Sequence, residues 1–179
     1  MGEESVPLAA LLAEYHQIKE EQKTRIGFRD NLLYVTLAAT IGTLVAALQA
    51  GRHAPLLLLL LPVAVTALGW TYLVNDNKIS AMGRYIRTSL GPRMNTLTQL
   101  PLMTFGWEHF HREDGRRTQR RSIQCAVDLA VFTGIPAVAL IACWFKSGDS
   151  TPMLVASVIE AAAVATLATQ IISYTRASH

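Results

Sequence analysis

Residues 31–50 read NLLYVTLAATIGTLVAALQA and residues 55–74 read PLLLLLLPVAVTALGWTYLV. Neither stretch contains a charged side chain. Each supplies the run of about 20 apolar residues that a helix needs to cross a hydrocarbon core. The polar turn between them, Gly51, Arg52 and His53, is short enough to force an antiparallel hairpin. Trp70 and Tyr72 fall at the far end of the second stretch, where an aromatic belt meets lipid headgroups. Pro62 predicts a bend and not a break, since neighbouring helices in a membrane can satisfy the carbonyl that proline frees.

A second hairpin follows. Residues 122–145 read SIQCAVDLAVFTGIPAVALIACWF, and residues 152–174 read PMLVASVIEAAAVATLATQIISY. The former carries Asp128 and Pro136, the latter Glu160 and Gln170. The fourth stretch is the least hydrophobic of the four, so it is expected to face protein more than lipid. Composition points the same way: charged residues are 16% of the chain, against about 25% in soluble domains, and mean hydropathy is +0.28. The start of the chain is acidic and has no long apolar run, so we expect insertion to depend on the spans and not on a cleavable signal.

Lys and Arg set the orientation. Four lie before the first span, nine between residues 75 and 121 and one after the fourth, whereas each hairpin turn has one. Positive residues favour the cytosolic side, so both termini are expected in the cytosol. The predicted fold is an all-α integral membrane four-helix bundle of two transmembrane hairpins, N-in and C-in, in the inner (plasma) membrane. Its segments are a cytosolic amphipathic helix over residues 1–30, hairpins over 31–74 and 122–174, a cytosolic helix plus basic linker over 75–121, and a short cytosolic tail over 175–179.

Two cytosolic segments carry helical periodicity. Leu8, Leu11, Leu12, Tyr15, Ile18, Gln22 and Ile26 recur at spacings of three and four, as do Ile79, Met82, Ile86 and Leu90. They extend the first two spans, and Gly91-Pro92 is expected to end the second. A hairpin makes these extensions antiparallel, so Arg29 is expected at the height of Asp76, and Glu20 and Glu21 at the height of Arg84. Such pairs set register, while the apolar stripes supply stability. The alternative is a helix lying solvated or on lipid.

An ionisable side chain within a span costs about 2.5–3.5 kcal/mol on insertion scales, which makes Asp128 and Glu160 the candidates for function. By helical rise Gln170 stands level with Asp128 in the antiparallel neighbour, and a hydrogen bond between them is the structural explanation for that acid. Glu160 has no such partner in view. It is read as protonated and packed, as lining a water-filled path formed by several copies, or as binding a proton or cation. Rings of acidic side chains select cations.

Other features have plainer explanations. Arg116, Arg117, Arg120 and Arg121 abut the third span, where they are expected to meet anionic lipid headgroups. Basicity with pI near 9.1 is therefore topogenic, and no nucleic-acid partner is expected. Ala38, Gly42 and Ala46 form a small-residue face on the first span, as do Ala161 and Ala165 on the fourth. Such faces permit close helix contact, within the chain or between copies. Glu108, His109 and His111 lack a supporting third ligand, and no metal site, cofactor or catalytic motif is expected. Cys125 and Cys143 stand about 27 Å apart on one helix at 1.5 Å per residue and cannot pair within the chain.

The stretches EYHQIKEEQKTRIGFRDNLLYVTLAA and WTYLVNDNKISAMGRYIR resemble small actinobacterial multi-span integral membrane proteins, over about the first half of the chain. That group is similar in architecture to the SLATT-type membrane effectors of bacterial conflict and anti-phage systems, in which a soluble sensor triggers membrane disruption. The four-span layout departs from their two-span plan. The resemblance implies a homo-oligomeric membrane effector or channel-like protein, gated through its cytosolic helices. A proton- or cation-coupled transporter or accessory subunit using Asp128 and Glu160 is the alternative, and a membrane scaffold recruiting a soluble cytosolic partner is a third.

Overall fold

The computed structural model describes residues 5–98, 117–147 and 151–177, all in helices or tight turns. Helix α1 spans Ser5–Gln49, α2 Ala54–Tyr85, α3 Gly91–Thr98, α4 Arg117–Leu129, α5 Ile135–Ser147 and α6 Thr151–Ala177. Among the described residues there is no strand, and four helices are long and apolar enough to cross a membrane.

Helix α1 ends where its sequence requires it. Gly51 takes φ +52°, a left-handed conformation that costs a residue without Cβ little, and a single 3₁₀ turn over Gly51–His53 leads into α2. Pro62 lies inside α2, which continues through it. Two other prolines are met differently. A π-helical turn over Ile86–Leu90 precedes Pro92, and another over Ala130–Gly134 precedes Pro136. In each, the residue just before the proline donates its N–H five residues back, Gly91 to Ile86 and Ile135 to Ala130. The wider turn takes up the donor and the space that a proline ring removes from a regular helix. A threonine hydroxyl in each turn adds a donor to a carbonyl one turn back, Thr88 to Arg84 and Thr133 to Leu129. Gly91-Pro92 therefore does not end the helical run, which resumes as α3. Proline in a first turn has no hydrogen bond to lose.

The chain divides into two compact units, one of Met1–Arg29 with Asn75–Thr118 and one of Asp30–Val74 with Gln119–His179. The first is a paired helical hairpin. The beginning of α1 and the end of α2 with α3 enclose Ile86, Leu90 and Met94, with Leu8, Leu11, Tyr15 and Ile18 packed against them. The two periodic stripes meet over these residues, while Leu12 and Ile26 of the first stripe are exposed.

The second unit has its core between α2, α4, α5 and α6, with Leu32 from α1. Leu61, Val65, Tyr72, Phe132, Leu167 and Ile171 are buried there, and the Tyr72 and Phe132 ring centroids lie 4.9 Å apart. A smaller cluster of Ala47, Ala54, Leu58 and Cys143 closes the turn end. Buried hydroxyls bond within their own helix, Thr36 to Leu32 O and Thr40 to Thr36 O, both at 2.8 Å, which leaves the apolar interior no unpaired donor there.

The surface of this unit is apolar. Among the described residues, twenty-two of the large hydrophobic side chains left exposed belong to it and four to the other unit. Soluble monomers rarely expose contiguous apolar patches beyond a few hundred Å². The fourth apolar helix is no better enclosed than the first, with 22% of the apolar window buried in each. This corrects the expectation that it faces protein. Its inward row is Ser157, Val164, Leu167 and Ile171, and Glu160 and Gln170 lie off that row.

Candidate functional site

Helices α2 and α6 run side by side in the same direction. Pro62 and Val63 share a groove with Ile159 and Glu160, and Gly69 lies against Leu167 further along. A Cβ at Gly69 would stand 2.8 Å from Leu167 Cδ2 and 2.9 Å from Phe132 Cδ1. Glycine therefore lets the helices touch there, and towards their turn ends they leave a groove of about 660 Å³. Thr66 and Glu160 lie in it, and Trp70 and Thr166 also contribute to its wall.

Glu160 Oε2 is buried and has no hydrogen-bond partner among the described residues, and Thr66 Oγ1 is in the same condition. Burying such groups unpaired is unfavourable, so they invite a proton, a cation or a polar ligand. Val63, Trp70 and Ile159 in the same groove are exposed, so the groove opens to the outside of the unit.

Asp128 is held differently. Gln124, one turn earlier on α4, donates to Asp128 Oδ1 at 2.8 Å and lies 2.9 Å from the Tyr72 hydroxyl. The expected bond to Gln170 is not formed: Gln170 is exposed and makes no hydrogen bond among the described residues. Equal height along two helices did not put the two side chains on facing sides, whereas an (i, i+4) partner always shares a face. Asp128 and Glu160 belong to separate settings.

In the first unit Arg29 Nη1 stands 2.8 Å from Asp76 Oδ1. Arg25 Nη1 donates to Asn75 Oδ1 at 3.1 Å, and the Tyr85 hydroxyl to Glu14 Oε1 at 2.7 Å. That bond, with desolvation second, pushes the Tyr85 phenol above its usual pKa. Glu20 and Glu21 do not meet Arg84. Gln22 reaches the Ile79 carbonyl at 3.5 Å, so the level is the expected one, but Glu20, Glu21 and Arg84 are all exposed on other faces. Glu21 pairs instead with Arg25 at 2.7 Å.

Arg120 and Arg121 lie near the start of α4, with Arg120 exposed and Arg121 half-buried, and Arg117 opens that helix. Arg116, Glu108, His109 and His111 lie outside the described residues. The small-residue face of Ala38, Gly42 and Ala46 is exposed, and a Cβ at Gly42 would meet nothing within 4 Å. It is not used for packing among the described residues. Cys143 is buried with its thiol 3.5 Å from the Pro55 carbonyl, and neither cysteine is in a disulfide.

Sequence reasoning missed Thr66, Gly69 and Gln124. Gln124 was recoverable from its spacing to Asp128; the other two depend on which face of α2 meets α6. The chain matches no family model, no curated protein and no solved structure.

Proposed function

We propose that this chain is an integral protein of the inner (plasma) membrane with both termini in the cytosol, and that copies of it assemble into a cation- or proton-conducting effector. The observation that carries the reading is Glu160 Oε2, buried without a hydrogen-bond partner among the described residues, in a groove open to the outside of an apolar unit. A single acid in such a setting is costly, and several copies together supply the ring of carboxyls that favours cations. The exposed Ala38, Gly42 and Ala46 face supports contact between copies, since small residues let helices approach where dispersion drives association. Asp128, already bonded by Gln124, acts as a packed acid.

The paired helices of the first unit are the element through which a soluble trigger acts. Helices α1 and α2 each contribute residues to both units. Arg117, Arg120 and Arg121 contact anionic headgroups.

The test is conductance in liposomes. Reconstituted protein is expected to release cations once triggered, and Glu160→Gln to lower cation flux by about tenfold or more, a change equivalent to 1.4 kcal/mol. Protein that never conducts, with or without its trigger, refutes the reading. A proton- or cation-coupled carrier using Glu160 alone is the second reading, favoured by the groove's opening on a single chain. It calls for substrate uptake that depends on a proton or cation gradient, without dye leakage.

A further inference from the structure

The groove between α2 and α6 holds one ionisable side chain and few oxygens. Glu160 contributes its carboxyl and Thr66 a hydroxyl without a protein partner among the described residues. The Thr166 hydroxyl is already donated to the Ala162 carbonyl at 2.8 Å. An inorganic cation that sheds its water needs about six oxygen ligands, and this donor set does not replace them. Among the described residues, no group of three or more His, Cys, Asp or Glu is placed to hold a metal ion.

The remaining wall is hydrocarbon and aromatic, from Pro62, Val63, Ile159 and the indole of Trp70. An anion would be repelled by Glu160, and a neutral apolar molecule would leave the carboxyl unpaired. Carboxyl and wall are both satisfied by a cation whose charge is spread over, or shielded by, an apolar body. Such an ion is weakly hydrated, so it needs a counter-charge and dispersion contacts more than it needs oxygens. Trp70 adds a further match, because an indole face attracts cations through its quadrupole.

Size agrees with chemistry. A groove of about 660 Å³ lies within the roughly 300–1,000 Å³ of small-molecule sites. Along α2, Trp70 stands about 10 Å beyond Val63 at 1.5 Å per residue, and both line the groove that holds Glu160. One compact polycyclic or tetra-aryl ion covers that span.

We infer that the Glu160 groove is a binding site for hydrophobic organic monocations, with the carboxylate as counter-ion and the Trp70 indole against the cation's body. The inference rests on the membrane placement proposed above and gives the Glu160 site its ligand class, but it does not require conduction. Binding and flux are separable readouts.

The test is equilibrium dialysis of the full chain in detergent micelles against protein-free micelles. Tetraphenylphosphonium and its anionic isostere tetraphenylborate, alike in shape and opposite in charge, are the probes. Tetraphenylphosphonium should bind saturably and tetraphenylborate should not. Glu160→Gln should weaken the cation's binding by about tenfold or more, Trp70→Leu severalfold, and Glu160→Asp should keep most of it, with unchanged helix content and elution volume in all three. Wild-type protein that takes up neither probe above the micelle background, or both alike, overturns the inference, as does a Glu160→Gln variant that binds the cation as tightly as wild type. A wild-type protein that conducts but does not bind tetraphenylphosphonium would sink this inference alone. Saturable binding without flux would uphold it while removing the conducting reading.

Discussion

Arg29 Nη1 lies 2.8 Å from Asp76 Oδ1, each side chain a little over a quarter exposed, and the pair joins α1 to α2 across forty-seven residues of sequence. Its partial burial puts it at the upper end of what surface pairs contribute, about 1 kcal/mol. Arg29→Asp or Asp76→Arg alone should destabilise the helical hairpin by about that amount or more, since each sets like charges together. The double exchange should recover most of the loss. A double-mutant cycle on thermal unfolding reads this directly, and strictly additive effects would show that the pair contributes nothing.

Leu90 is fully buried with Ile86 and Met94 against Leu8, Leu11, Tyr15 and Ile18. Leu90→Ala should cost about 2–5 kcal/mol of local stability, the range for a buried leucine that leaves a cavity. Amide exchange over residues 8–22 and 86–98 should speed up, while residues 55–74 keep their protection. Equal loss of protection in both regions would contradict a separate apolar cluster.

Gly69 has no room for a side chain. A Cβ there would stand 2.8 Å from Leu167 Cδ2, 2.9 Å from Phe132 Cδ1 and 3.0 Å from Phe132 Cβ. Gly69→Ala should destabilise by about 1–3 kcal/mol, the usual cost of overpacking, despite alanine's better helix propensity. Gly42→Ala, where a Cβ meets nothing within 4 Å, should leave monomer stability unchanged or slightly raised. Thermal unfolding in detergent of the two variants side by side should separate them, and equal melting would refute the close approach.

Tyr85 donates to Glu14 at 2.7 Å, and that bond, with desolvation second, holds the phenol protonated above its ordinary 10.0. The folded pKa is the higher one, so this bond's contribution is fully present below pH 10 and is lost as pH rises through the folded value. Tyrosinate absorbance should show a late-titrating phenol in the wild type that is missing from Tyr85→Phe. A Tyr85→Phe difference spectrum with a midpoint at or below 10 would be inconsistent with the bond.

What was legible in the sequence followed from one-dimensional properties. Length and predominantly apolar character marked four helices, because a run of about 20 apolar residues has little use except in lipid. Spacing of Leu8 to Ile26 against Ile79 to Leu90 marked two stripes, and counting residues outward from the turn brought Arg29 to Asp76. Counting gives height along a helix, and height is all that a hairpin constrains. It failed wherever the face decided: Glu20, Glu21 and Arg84 are exposed on other sides, and Gln170 faces away from the Asp128 whose partner is Gln124.

Sequence alone therefore determined that the chain is helical, where its four apolar helices lie and which acids fall inside them, since hydropathy and 1.5 Å of rise per residue are local quantities. Tertiary structure alone decided that Glu160 Oε2 has no hydrogen-bond partner among the described residues, that Glu160 shares a groove with Thr66 and Trp70, and that the Gly42 face is left open while Gly69 is closed. Those outcomes depend on the rotation of each helix about its own axis. That rotation is set by how bulky side chains such as Phe132 and Leu167 pack against a neighbour, and no single helix carries the information.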